Sequence, residues 1–222
     1  MFGTEKYTFR PVLCLFTVII LSVSSLQILG QSLRFESLTT ENGLSQGSVS
    51  CILQDKSGFL WFGTEDGLNR YDGYDFIVFQ HNPSDDNSVS NNKILSLFED
   101  TEGILWIGTN YGLNAYNSVT GKFTRYFNKQ EDKTFITDHV INTIFRDYEG
   151  ILWIGTKSSG LIRFNKTDNS FKVFINRPDD TASLSSNDVT CILQTTDNEL
   201  WIGTDGGGIS RFDTDKEEFL NF

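Results

Sequence analysis

His81 and His139 are the only imidazoles among 222 residues. Triad or general acid–base chemistry would need one of them beside a Ser and an Asp. They lie in different connections and unlike contexts, and no Ser-His-Asp grouping can be assembled around either. Both read as solvent-exposed loop residues. Asp55, Asp100 and Asp147 supply three carboxyls, and glycoside hydrolysis needs two facing each other across a sugar linkage. Each of these Asp residues stands three places before a Gly (Gly58, Gly103, Gly150). That fixed place reads as turn stabilisation by Asx hydrogen bonds. With 3 Cys and 2 His there is almost no material for a zinc cluster. No Asp-x-Asp-x-Asp-Gly calcium loop occurs. Gly206-Gly207-Gly208 lacks the Lys-Ser/Thr that completes a phosphate loop. The sequence therefore assigns no catalytic residue, no metal and no cofactor.

The elements that position these residues are repeats. All four tryptophans sit in one motif: Trp61-Phe62-Gly63-Thr64, Trp106-Ile107-Gly108-Thr109, Trp153-Ile154-Gly155-Thr156 and Trp201-Ile202-Gly203-Thr204. Their spacings are 45, 47 and 48 residues. Asp55, Asp100 and Asp147 precede the first three tryptophans by six places; the fourth repeat has Thr195 there. Four short strands per repeat follow from period-two alternation punctuated by Gly and Asn. The first begins at Val49, Ile94, Ile141 and Val189, and its third residue is always small (Cys51, Ser96, Thr143, Cys191). Apolar neighbours on both faces place that strand centrally in its sheet rather than at an edge. The Trp motif is the second strand, Gly-Leu/Ile-x-x-Tyr/Phe the third, and an aromatic segment the fourth. Four strands in 40–50 residues mark a β-propeller blade.

The fold class expected is all-β, with four four-stranded antiparallel blades at about 45–80, 90–128, 137–175 and 185–222. An orphan strand at 33–38 matches a fourth strand and precedes the first complete blade. The last blade already owns its fourth strand, so the chain reads as an open arc, an incomplete propeller with exposed sheet faces at both ends. Binding residues should differ between blades at one loop. After each Gly-Thr these are Glu65, Asn110 with Tyr111, Lys157 and Asp205. Tyr111 is suited to stacking on a sugar ring, the others to hydrogen bonding.

The net charge of −11 repels phosphate backbones, which argues against a nucleic-acid partner. Residues 1–30 are a separate segment. Lys6 and Arg10 precede an uncharged run from Val12 to Leu29, with Ser22, Ser24, Ser25 and Gly30 near its end. This is the layout of a signal peptide or an N-terminal membrane anchor. Export would permit a disulfide, but Cys51 and Cys191 hold equivalent places in non-adjacent repeats. They read as two buried free thiols.

The pattern Asp-x-x-Gly-x-Leu-Trp-Ile-Gly-Thr-x-x-Gly-Leu-x-x-Tyr-Asp resembles the two-component regulator propeller repeat. So do the linkers from Pro83 through Asp85, Ser88 and Ser90 to Asn92, and from Pro178 through Asp180, Ser183 and Ser185 to Asn187. The opening Phe35…Leu38…Asn42-Gly43-Leu44-Ser45 fits the same family. The resemblance covers Leu33 to Phe222. It implies the periplasmic sensor region of hybrid two-component histidine kinases, with polysaccharide sensing and signal relay through propeller packing. No kinase motif lies within the chain, so no enzymatic activity is expected of it. The partners implied are further blades and a second propeller of the same sensor, an oligosaccharide, or a second copy in a homodimer.

Overall fold

The computed structural model describes residues 35–126, 140–166 and 170–222. The chain divides into two compact units, Met1–Ser37 and Leu38–Phe222. The export segment at 1–30 and His139 lie outside the described residues.

Among its described residues the second unit contains sixteen strands in four sheets. The first sheet holds β1 (Val49–Gln54), β2 (Leu60–Thr64), β3 (Gly67–Tyr71) and β4 (Phe76–Phe79). The second holds β5 (Ile94–Glu99), β6 (Ile104–Thr109), β7 (Gly112–Asn117) and β8 (Lys122–Tyr126). The third holds β9 (Ile141–Arg146), β10 (Leu152–Thr156), β11 (Leu161–Asn165) and β12 (Ser170–Phe174). The fourth holds β13 (Val189–Gln194), β14 (Leu200–Thr204), β15 (Gly208–Asp213) and β16 (Glu218–Asn221). Every sheet is an antiparallel meander in chain order, as the repeat requires. No α-helix occurs among the described residues; a single 3-10 turn at Thr40–Asn42 precedes β1.

Two sequence-based expectations are corrected. The described part of the orphan strand, residues 35–38, forms no strand, and Phe35 is 90% exposed. An isolated strand has unpaired backbone groups and no ladder to join. The first strand of each repeat is also not central. β1, β5, β9 and β13 each pair on one side only and are sheet edges. Their apolar faces are explained by packing between sheets: β1 contacts β5, β5 contacts β9, and β9 contacts β13. A register shift near the start of each first strand reverses the side-chain alternation. In β5 it lets Ile94 pack toward Trp61 of the preceding sheet while the Ser96 hydroxyl donates to the Ile141 carbonyl of the next.

Three apolar clusters fill the spaces between consecutive sheets. The first three Trp pack edge-on against an aromatic of the following sheet: Trp61 with Tyr116 at 5.5 Å, Trp106 with Phe164 at 5.7 Å, Trp153 with Phe212 at 5.2 Å. Such pairs add to the area they bury. Trp201 instead stacks on Phe222 of its own repeat at 5.5 Å. A twisted sheet cannot hide an indole alone, so stacking of neighbours supplies most of the stability.

The linkers are built by one rule. Ser88 Oγ donates to the carbonyls of Asn82 and Asp85, and Ser183 Oγ to those of Arg177 and Asp180. The amides of His81 and Asn176 donate to Asn92 Oδ1 and Asn187 Oδ1. Between them Val89 and Leu184 are fully buried. Ser90 and Ser185 then bond to the hydroxyls of Thr109 and Thr204 at 3.0 Å. The Ser and Thr of the two motifs thus exist for each other. His81 is correspondingly not a free loop residue. It is partly buried, and its Nδ1 lies 2.8 Å from the Val89 carbonyl.

Both described cysteines are free thiols. Burial pushes the Cys51 thiol up to about 12, against a smaller opposing effect from the Gly63 backbone. Cys191, expected to be buried, is exposed. The face that covers its counterpart in the first repeat belongs to the following sheet, and among the described residues no following sheet lies on the Cys191 side of β13.

Candidate functional site

The three acidic turn residues are fully occupied by structure. Asp55 Oδ1 accepts from the amides of Ser57 and Phe59, and its Oδ2 from the Trp61 indole at 2.8 Å. Asp100 and Asp147 do the same for Trp106 and Trp153, at 3.1 and 2.7 Å. The turn Gly residues take φ between 79° and 92°, and Asn198 takes 66° in the fourth repeat. There Thr195 Oγ1 accepts the Glu199 amide, and Glu199 itself accepts the Trp201 indole.

Burial by itself pushes the Asp100 carboxyl up. The Ile104 amide, the Trp106 indole and the Lys166 ammonium outweigh it and hold the carboxyl below its ordinary value. A depressed folded pKa adds stability above the unfolded value, about 4, that is lost as pH falls through the folded one. Asp100→Asn should therefore destabilise the protein at pH 7. Its gap from wild type should narrow below about pH 4, where the wild-type carboxylate also protonates. Urea unfolding followed by circular dichroism at both pH values measures this; a gap that does not change with pH would contradict it.

The variable loop residues have a different environment. In three repeats the amide at the loop tip donates to the carbonyl of the residue just before the first strand. Asn110 is tied to Lys93 at 3.0 Å, Lys157 to Val140 at 3.0 Å, and Asp205 to Asp188 at 2.8 Å. Side chains seventeen residues apart in the sequence are thereby set in pairs at one end of neighbouring sheets. Asn110, Lys157 and Asp205 line one open cleft of about 420 Å³. Lys93, Leu95, Val140, Asn142, Asp188 and Thr190 complete its wall. Asn142 Nδ2 donates to Asp188 Oδ1 and to the Val189 carbonyl, both at 3.0 Å, bracing the wall between two sheets.

Glu65 and Tyr111 do not line this cleft. The Glu65 carboxylate pairs with Lys93 at 2.7 Å, and that bond holds the carboxyl below its ordinary range. Tyr111 stands on the neighbouring position of the same loop as Asn110, partly exposed, with its amide bonded to Thr109 Oγ1. Its ring therefore forms no floor for a ligand in the cleft. The second row, Lys93, Asn142 and Asp188, was not identified from sequence. Its signal was available: these positions differ between repeats while flanking invariant apolar residues of the first strand.

With Lys93 neutralised by Glu65, the remaining charges are one ammonium, Lys157, and two carboxylates, Asp188 and Asp205. Asn110, Asn142 and Thr190 add neutral donors and acceptors. No cluster of three His, Cys, Asp or Glu suited to a metal occurs among the described residues. The cleft offers hydrogen bonding without a nucleophile–base pair.

The family model for the two component regulator propeller matches this chain four times, at residues 43–66, 88–111, 135–158 and 183–206. Each match runs from the linker through the first two strands to the loop tip. These are two component regulator propeller repeats. A histidine kinase, P4, of Formosa agariphila is 46% identical over 72 residues, which is 32% of this chain and 5% of the kinase. Two solved extracellular domains from B. thetaiotaomicron share the fold. That of BT4673, a candidate one component system, is 28% identical with a TM-score of 0.70, covering 82% of this chain and 23% of its own. That of BT3049, a candidate hybrid two component system, is 27% identical with a TM-score of 0.62, covering 83% and 31%. The propeller repeats described here thus span less than a third of each relative. Over them the chain is a sensor-like β-propeller. No helix among the described residues is long and apolar enough to cross a membrane.

Proposed function

We propose that this propeller is the ligand-sensing part of an exported two component regulator and that its cleft takes an oligosaccharide. The carrying observation is the convergence of Asn110, Lys157 and Asp205, from three different blades, on one cleft of mixed polar and apolar lining. Mixed amides, hydroxyl and charges of both signs suit the many donor–acceptor hydroxyls of a sugar. A ligand held by three blades at once would favour whichever packing brings those loop tips to it. Signal relay through propeller packing needs only that difference in affinity. The extracellular placement of the solved relatives and the export-type segment at 1–30 support a periplasmic site. On this reading the chain binds and does not catalyse.

Calorimetry of the whole chain against neutral and acidic oligosaccharides tests the reading. Lys157→Ala and Asp205→Asn should each weaken binding by about tenfold or more, the worth of one charged hydrogen bond. Tyr111→Ala should leave it unchanged. Equal affinity in all three variants and the wild type would reject the cleft as the site.

A further inference from the structure

At the end of the sheets that carries the Asp turns, two of the three junctions between consecutive sheets are closed by the same hydrogen bond. At the first junction the Lys56 amide, one place after Asp55, donates to Glu99 Oε2 at 2.9 Å. At the third the Tyr148 amide, one place after Asp147, donates to Gln194 Oε1 at 2.8 Å. The acceptor in both is the side chain just before the turn of the following sheet. At the second junction the same two places hold Thr101 and Arg146. A guanidinium carries donors and no acceptor. The turn itself is unchanged: Gly103 donates to the Asp100 carbonyl as Gly58 and Gly150 do to Asp55 and Asp147. The Thr101 amide is therefore left without the oxygen its counterparts have. Neither it nor the Arg146 guanidinium has a hydrogen-bond or ion-pair partner among the described residues.

Both groups border a cleft of about 390 Å³ between the second and third sheets. It lies at the opposite end of the strands from the loop tips, with Trp106 and Leu152 in its wall. Its other cation is already used. Lys166 Nζ reaches Asp100 Oδ2 at 3.0 Å and Glu102 Oε2 at 2.8 Å. Asp100 also accepts the Ile104 amide and the Trp106 indole. Arg146 lies across its own turn, where a Cβ added to Gly150 would be 2.8 Å from Nη2. It forms no ion pair with Glu149, which stands exposed three places further on in that turn. A buried or half-buried donor pair with no acceptor between its members invites an oxygen from outside the chain.

We propose that this cleft binds a small hydroxylated carboxylate, of the size and chemistry of a uronic acid. The carboxylate takes the place that Glu99 and Gln194 fill at the other two junctions. It accepts from the Thr101 amide and from the planar fork of Arg146, a charge-assisted geometry. Its hydroxyls donate to the carboxylates of Glu102 and Glu149. Those two acids disfavour a doubly charged phosphate more than a singly charged carboxylate. The volume is that of a small-molecule site. This site is separate from the loop-tip cleft and does not depend on what that cleft binds.

Amide-resolved NMR of the full chain tests this, with D-glucuronate as the probe and D-glucose and acetate as controls at constant ionic strength. Glucuronate should shift the Thr101 amide signal saturably. Glucose should leave it in place, and acetate should bind about tenfold more weakly than glucuronate. Arg146→Gln gives the second junction the residue type of the third, so it should fold, as circular dichroism would verify. Its own Oε1 then accepts the Thr101 amide, and glucuronate affinity should fall about tenfold or more. Arg146→Lys keeps the charge without the fork and should fall between the two. No shift at Thr101 with glucuronate, an equal response to glucose or acetate, or full affinity in Arg146→Gln overturns the proposal.

Discussion

Trp153→Ala is expected to lower the unfolding free energy by about 3–5 kcal/mol, the range for removing a large buried aromatic. The side chain is 2% exposed. Its ring meets Phe212 of the next sheet at 5.2 Å and Phe174 of its own at 6.1 Å. The cavity would therefore open between two sheets, whose meander backbones cannot collapse into it without breaking register. The substitution also leaves Asp147 Oδ2 without the indole donor it accepts at 2.7 Å. A carboxylate oxygen stranded in a mostly buried turn adds to the loss. Trp201→Ala should cost clearly less, since Trp201 lacks an aromatic from a following sheet and is partly exposed. Urea unfolding monitored by circular dichroism, at concentrations where the chain is single, compares the two. Equal losses would mean that packing between sheets is not what stabilises the repeat.

Gly108→Ala is the second large effect, and it acts by overpacking. The new Cβ would lie 2.1 Å from Ser96 Oγ and 2.6 Å from Ile141 Cγ2, with Ile141 Cβ at 2.9 Å. Ser96 could rotate, but Ile141 is β-branched, fully buried and part of the third sheet's edge. Relief requires the second and third sheets to separate, at a cost of about 1–3 kcal/mol or more. At Gly203 the same methyl would meet the Cys191 thiol at 2.5 Å and no other sheet. Gly203→Ala should cost less, because an exposed thiol can move. Thermal unfolding of both variants ranks them; a ranking in the opposite order would refute this account of why the motif contains Gly.

Much of this architecture was legible because it is local. The Asp turn closes through amides two and four residues ahead, and the indole it binds is six ahead. The linker closes through Ser88 and Asn92, six and eleven residues from their partners. Repetition of such short-range patterns identifies blades, strands and turns without a structure. The indole bond itself was not foreseen, since the Asx-turn explanation already accounted for the Asp. The edge position of β1, β5, β9 and β13 was misjudged for a related reason. A strand covered on both faces by neighbouring sheets carries the same apolar pattern as a strand inside one sheet. Burial leaves that signature whatever supplies the cover.

The cleft shows the other limit. Glu65, Asn110, Lys157 and Asp205 were equivalent by position and Tyr111 adjoined them, yet of these five only Asn110, Lys157 and Asp205 line it. Whether a loop tip reaches the cleft depends on what its neighbour offers: Lys93 draws Glu65 into an ion pair at 2.7 Å. By itself the sequence determined the repeat unit, its four strands, its turns and its linkers, because each is set by hydrogen bonds and alternation within a few residues. Tertiary structure alone decided which side chains meet across sheets, which carboxyls stay available and which faces stay open. Those outcomes depend on the packing of groups about forty-five residues apart, where side-chain size and charge act between repeats.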